Sequence, residues 1–276
     1  VLRILDARTG EPVTATPARR GLTRIEAHAS GLDPTALRVL VTADLLVRAL
    51  ELGGTPVWTS LFAPRQQAEL RAAATTLGIR PLEDGRDLAA GLGEAQAIHV
   101  VAEDTGRVHG NGPVALVAPV TWTGTPRPTP APDPASPATR TDASPADRTE
   151  EPADSRRPLS ALLSDPAALR LALLSVPRGE TVLLDDAVLD GAARQLSRWR
   201  RAVAEWARQP SRPVPEEVRT RLRTAWEDDL DLPGVLAVLR DVETAPDLPA
   251  GARFETYVYA DRLLALDLPR DIGSAA

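Results

Sequence analysis

The chain has 276 residues, of which 43% are apolar but only 3% aromatic, so it can build a sizeable core that Leu, Val and Ala must fill. It holds no cysteine, which excludes disulfides, thiolate nucleophiles and Cys-ligated zinc. All 32 basic residues are arginine, which excludes a Schiff-base lysine and a P-loop lysine, and the net charge of −6 disfavours tight non-specific binding to nucleic acid.

The first part, 1–122, alternates strand and helix signals. LRILDARTG (2–10) opens it, and TRIEAHA (23–29) follows as a strand. Asp33-Pro34 then supplies an N-cap and an N1 proline, so the spacing predicts a helix over 34–52, closed by Gly53-Gly54. PVWTSLF (56–62) reads as a strand, 64–77 as a helix, and AIHVVAE (97–103) and PVALVAPV (113–120) as further strands. Strands alternating with helices imply a parallel sheet with crossover helices, an α/β Rossmann-like (HUP-type) domain.

Residues 123–158 contain nine prolines and no Leu, Ile, Val, Phe, Tyr or Trp. Such a stretch buries too little apolar surface to offset the entropy of ordering, so it reads as a disordered, extended linker. Helical periodicity returns at 159–276. Two short helices split at Asp165-Pro166, and longer ones fall at about 186–208, 215–229, 233–244 and 253–267. Short proline-marked connections imply an antiparallel helical bundle domain. In the 186–208 helix, Leu189, Leu196, Trp199, Val203 and Trp206 fall near one face. RWRRAVAEWAR (198–208) could stack on RNA, but the period assigns its tryptophans to the core and Arg198, Arg200 and Arg201 to solvent.

AWEDDLDLPGVLAVL (225–239) resembles the helix joint of the anticodon-side domain of cysteinyl-tRNA synthetases. Asp231 would cap and Pro233 would open the second helix, making Asp228, Asp229 and Asp231 a joint rather than a catalytic pair. DPAALRLALLS (165–175), TVLLDDAVLDGAARQLSRWRRAV (181–203), the opening LRILDARTG and ADLLVRALE in the first helix are similar to further segments of that family, in the family's order. The resemblance spans nearly all of the chain except the linker. It implies a class I synthetase scaffold that activates cysteine with ATP and passes it to tRNA, using a zinc site, a HIGH motif and a KMSKS loop.

The residues depart from that chemistry at each place. The zinc-binding Cys of the first strand would fall near Arg24 or Ile25. His28, His99 and His109 are the only histidines and lack metal-ligand spacing, so no metal site and no zinc are expected. The HIGH position falls at Asp33-Pro34-Thr35-Ala36 or, with a gap, at His28-Ala29-Ser30-Gly31. A KMSKS loop cannot exist without lysine; Arg156 and Arg157 are the cations nearest its place. Gly91 and Gly93 precede a strand instead of following one, the wrong context for a dinucleotide loop.

No catalytic residue is therefore expected. Arg24, His28 and Arg157 are the candidates for a remnant nucleotide site, with ATP its ligand. The reading is a cysteinyl-tRNA synthetase-like pseudoenzyme with a binding or regulatory role and a protein partner. The alternative is residual ATP-dependent cysteine-type ligase activity, with tRNA or an amine as acceptor. The chain has no run of 18 apolar residues and no charged-then-apolar N-terminal stretch, so a cytoplasmic protein with neither membrane nor DNA as partner is expected.

Overall fold

The computed structural model describes residues 1–17, 22–84, 94–103, 111–124 and 159–273. Arg156, Arg157, His109, Gly91, Gly93 and all but the first two residues of 123–158 lie outside the described residues.

The chain opens with an antiparallel hairpin, β1 (Arg3–Asp6) and β2 (Glu11–Thr14). Then come β3 (Leu22–His28), α1 (Pro34–Leu52), β4 (Val57–Phe62), α2 (Gln67–Thr76), β5 (Glu83–Asp84), β6 (Glu94–Ala102) and β7 (Val114–Val117). They form one sheet in the order β2-β1-β7-β6-β3-β4-β5, parallel from β7 to β5 and antiparallel between β1 and β7. This is the expected Rossmann-like α/β arrangement. Chain order runs outward from β3 to β4 on one side and from β6 to β7 on the other. The switch point therefore lies between β3 and β6, where open α/β sheets form their ligand crevice.

The start of α1 follows from its first residues. Asp33 is extended, its Oδ1 accepts the Ala36 N–H at 2.9 Å, and Pro34 needs no N–H partner. Fourteen of its nineteen residues are buried. Such a helix is covered on all sides: it packs on β3, β4 and β6, and against the helical part of the chain. The α2 helix begins at Gln67 rather than 64 because Gln66 sits in the left-handed region, at φ 52°.

The helical part comprises α3 (Leu159–Leu162), α4 (Pro166–Leu174), α5 (Asp186–Trp206), α6 (Glu216–Glu227), α7 (Leu232–Thr244) and α8 (Ala250–Leu264), then a 3-10 turn at Leu268–Asp271. Asp165 and Asp185 cap α4 and α5 through the Ala168 and Val188 amides, at 3.0 and 2.7 Å. A second small sheet joins the two parts, where β8 (Val120–Trp122) pairs in parallel with β9 (Val182–Leu184). Buried residues of both parts belong to one contiguous apolar cluster. No described helix is long and apolar enough to cross a membrane.

Trp199 and Trp206 pack edge-on against Tyr257, with ring centroids 5.8 and 5.1 Å apart, in the core of the helical part. Both polar ends are satisfied: Trp199 Nε1 donates to Glu243 at 3.0 Å, and Tyr257 Oη donates to the Leu239 carbonyl at 2.8 Å. The tryptophans thus belong to the core, as the helical period implies. Arg200 differs from expectation. It is half-buried and donates to the carbonyls of Leu266 and Asp267, closing the turn after α8.

The acidic run before α7 is a joint. Asp231 Oδ1 accepts the Gly234 N–H at 2.9 Å and caps that helix. Asp229 N donates to the Arg3 carbonyl, Asp229 Oδ1 accepts the Leu5 N–H at 2.8 Å, and its carboxylate pairs with Arg178. The turn costs backbone strain, since Asp229 and Leu230 both have positive φ, 50° and 56°. These acids fasten the first strand to the helices.

Candidate functional site

The sheet has two unlike faces near its switch point. Ile25 and Ala27 of β3 and Ile98 and Val100 of β6 are buried and pack in the core cluster. Their alternation places Arg24, Glu26 and His28 on the opposite face. Parallel pairing sets Ser60 of β4 beside Glu26 on one side and His99 of β6 on the other. Three strands thus align Ser60, Glu26 and His99 in one row, with His28 one step toward the carboxyl end of the sheet.

Three side-chain atoms of this group converge. Glu26 Oε2 lies 2.9 Å from His99 Nδ1 and 3.3 Å from His28 Nε2, and the two ring nitrogens are 3.3 Å apart. Glu26 and His99 are buried, and His28 is half-buried. Each member is held from behind. Arg24 Nη2 binds the other carboxylate oxygen, Glu26 Oε1, at 2.6 Å. His28 stacks on Phe62, with centroids 5.0 Å apart and planes 13° from parallel. His99 Nε2 faces the Asn111 carbonyl at 3.2 Å. The backbone after Asn111 requires glycine: Gly112 has φ +113°, and a Cβ there would lie 2.1 Å from the Ala97 carbonyl oxygen. Burial raises the Glu26 pKa, but the hydrogen bonds of His28 and His99 and the charges of His99 and Arg24 outweigh it and hold the carboxyl well below its ordinary range.

His28 also borders a cleft of about 290 Å³ at the carboxyl end of β3 and β6, lined further by Ser30, Asp33, Thr35, Ala102 and Val120. Its floor is the start of α1, where backbone amides would attract an anion. Part of that attraction is already used internally. Asp33 holds the Ala36 amide and adds its own negative charge, while Thr35 Oγ1 accepts the Val120 N–H at 3.0 Å. No arginine lines the cleft among the described residues. Replacing Asp33 by Ala should destabilise the protein by about 1 kcal/mol through the lost cap, whereas Asn should keep nearly full stability. Urea midpoints would show this, and equal losses for Ala and Asn would refute the cap as the cause.

Of the sequence candidates, Arg24 and His28 come together around Glu26, and Arg157 lies outside the described residues. Sequence reading missed Glu26, and it took His28 and His99 as too far apart to share a ligand. The pairing of β3 with β6 closes that separation of 71 residues. One local signal was available: Glu26 and His28 are two apart on a strand, hence on one face.

No family model matches the chain. Part of it is similar to enzymes described as L-cysteine:1D-myo-inositol 2-amino-2-deoxy-alpha-D-glucopyranoside ligase. The identity to that of Parafrankia sp. (strain EAN1pec) is 45% over 89 residues, 32% of this chain and 19% of the relative. To that of Streptomyces griseus subsp. griseus it is 44% over 75 residues, 27% of this chain and 17% of the relative. To that of Kytococcus sedentarius it is 40% over 87 residues, 29% of this chain and 20% of the relative. The matched segments thus span about a fifth of the length of these curated relatives. Over these segments the similarity supports a relationship to ligases of cysteine.

Proposed function

We propose that this chain is a binding protein on the scaffold of the cysteine-activating ligases, one that takes a small ligand at the switch-point cleft and forms no adenylate. The observation that carries this reading is the state of the α1 N-terminus. Its capping amide is held by Asp33, an anion, and no arginine lines the cleft among the described residues. Adenylate formation develops negative charge on phosphate oxygens, and preorganised cations or free amides must stabilise it; losing even one such donor typically costs a factor of about 100–1,000 in rate. The chain has no lysine to supply that charge. Its role is then binding or regulation, with a protein as the partner class.

The test is cysteine-dependent ATP–pyrophosphate exchange with the purified chain and magnesium, beside calorimetric titration with ATP–magnesium and with a non-hydrolysable cysteinyl-adenylate analogue. No exchange is expected, and exchange above the blank would overturn the reading. The second reading, residual cysteine ligation, draws on the partial similarity to ligases named for joining L-cysteine to an amino sugar linked to inositol. An amine would then be the acceptor, and Arg157→Ala should abolish the exchange; an unchanged rate would remove Arg157 from the site. A tRNA partner is tested by gel shift, where no complex below about micromolar protein sets it aside.

A further inference from the structure

The geometry points to a mononuclear divalent-metal site of the zinc class made by Glu26, His28 and His99, with its remaining coordination position open to the cleft beside α1. The inference does not rest on the proposed function, since it concerns side chains that neither adenylate chemistry nor its loss explains.

The first support is the shape of the triangle. Its edges are 2.9, 3.3 and 3.3 Å. Zinc binds His nitrogen and carboxylate oxygen at about 2.0–2.2 Å in tetrahedral geometry, which sets neighbouring donor atoms ~3.3 Å apart. One ion would therefore meet all three donors with little movement of the side chains.

The second support is proton bookkeeping. The Asn111 carbonyl can only accept, so His99 Nε2 carries a hydrogen and donates it. In a neutral ring His99 Nδ1 then presents a lone pair. That lone pair faces the Glu26 carboxylate at 2.9 Å and His28 Nε2 at 3.3 Å. His28 Nε2 can carry its own hydrogen toward Glu26, but the 2.9 Å contact of His99 Nδ1 with Glu26 still sets two lone pairs face to face in a buried place and needs a cation between them. The cation is either a proton on His99, giving an imidazolium, or a metal ion. A proton on Nδ1 answers that contact, and the His28 N–H can answer the other carboxylate contact, which leaves the two ring nitrogens 3.3 Å apart with a hydrogen on each. A metal ion answers all three contacts.

The third support lies behind the ligands. A ligating histidine usually donates its other N–H to a carbonyl or carboxylate, and a ligating carboxylate is itself hydrogen-bonded. His99 has Asn111 in that role, and Glu26 has Arg24 on Oε1, which leaves Oε2 as its single donor. Phe62 fixes the plane of the His28 ring. The Ser60 hydroxyl, fully buried beside Glu26 in the register, has no hydrogen-bond partner among the described residues. It stands in the same strand row as Glu26 and His99. Three protein donors and an open position are the pattern of zinc sites that accept water or a small ligand, in contrast to closed four-ligand structural sites. His28 borders the cleft, so an oxygen, nitrogen or sulfur donor of a small molecule could enter from there.

The experiment uses the full chain without a histidine tag, stripped with chelating resin and titrated with cobalt(II), then with zinc(II) by calorimetry and by displacement of the cobalt. One equivalent per chain is expected, with a visible d–d absorption band typical of four or five ligands. Glu26→Gln and His99→Ala should each weaken binding by at least about 100-fold, the upper range for disturbing even the supporting shell of a metal. His109→Ala should bind as the parent does. Circular dichroism confirms that the variants are folded, and the isosteric Glu26→Gln guards against loss of fold in His99→Ala. A folded parent that takes up no stoichiometric metal, or binding unchanged in both Glu26→Gln and His99→Ala, overturns the proposal. So does ¹⁵N NMR showing both His99 ring nitrogens protonated in the presence of excess zinc, which would identify the cation as a proton.

Discussion

Replacing Arg170 by Ala is expected to destabilise the folded protein by about 3–5 kcal/mol, the range for removing one partner of a buried ion pair. Arg170 lies on α4 and is 1% exposed, and its partner Asp44 on α1 is 2% exposed. Their contact is 2.6 Å. The guanidinium also donates to the Leu264 carbonyl at 2.7 Å and the Leu77 carbonyl at 3.2 Å. One side chain therefore satisfies the ends of α8 and α2 while holding α4 on α1. Burial pulls the Arg170 pKa down, and the Asp44 charge opposes that pull, as expected for an ion kept charged by its partner. Truncation would leave a cavity, two carbonyls without this donor and a buried carboxylate. Arg48 Nε, 2.8 Å from the same Asp44 oxygen, moderates the last cost but cannot reach the site of the lost fork. Urea unfolding at neutral pH measures the effect, and a double-mutant cycle with Asp44→Ala should give a coupling of about 1–3 kcal/mol. A loss under about 1 kcal/mol for Arg170→Ala would mean that the packing around it, rather than the ion pair, joins these helices. Against a total stability typically near 5–15 kcal/mol, the expected loss is large enough to separate the outcomes.

The sequence makes local features legible and non-local ones obscure. Asp33-Pro34 announces the start of α1, and its end at Leu52 follows from Gly53-Gly54, because caps and glycines act within a few residues. Asp165-Pro166 and Asp231 with Pro233 announce two more helices for the same reason. The short strands escape. β9 is three residues long, reads as the lead-in to α5, and exists because β8 pairs with it from 62 residues earlier in the chain. β5 is two residues long and carries no period at all. The candidate site fails to show for the same physical reason. Glu26 and His28 are visible as a pair on one strand face, but His99 joins them only through parallel pairing, which carries no local mark. Buried arginines are the other blind spot. In the sequence Arg38 and Arg170 are two of 32 arginines, and only tertiary structure tells them from the solvated ones.

Arg38 carries the second large prediction. It lies in the second turn of α1, 2% exposed, and gives four hydrogen bonds to carbonyl oxygens. Nη1 reaches Ala118 at 2.9 Å and Glu180 at 2.6 Å; Nη2 reaches Val176 at 3.1 Å and Pro177 at 2.7 Å. Ala118 leads into β8, and 176–180 lead into β9, so this guanidinium holds together the two strands that join the parts of the chain. Burial and the nearby Arg178 charge lower its pKa to about 10, with Glu180 opposing, so the side chain remains charged at neutral pH. An orphaned buried carbonyl costs about 1–3 kcal/mol, and the costs are not additive once water enters. Arg38→Ala should therefore lose at least about 2–3 kcal/mol in urea unfolding. The loss should also be local first. Amide exchange should quicken at Ala118, Thr123 and Val182, whose N–H groups bond Arg178, Leu184 and Pro119 across the joint. Protection within β3 and β6 should change only by the global loss, because those strands pair with each other in the main sheet and not in the joint. Val120 also borders the cleft and donates to Thr35, so loosening the joint opens one wall of the candidate site while leaving Glu26, His28 and His99 in place. Metal uptake in Arg38→Ala should thus survive wherever the protein is folded. Uniform quickening of exchange over the whole sheet would show instead that the joint and the sheet unfold as one unit.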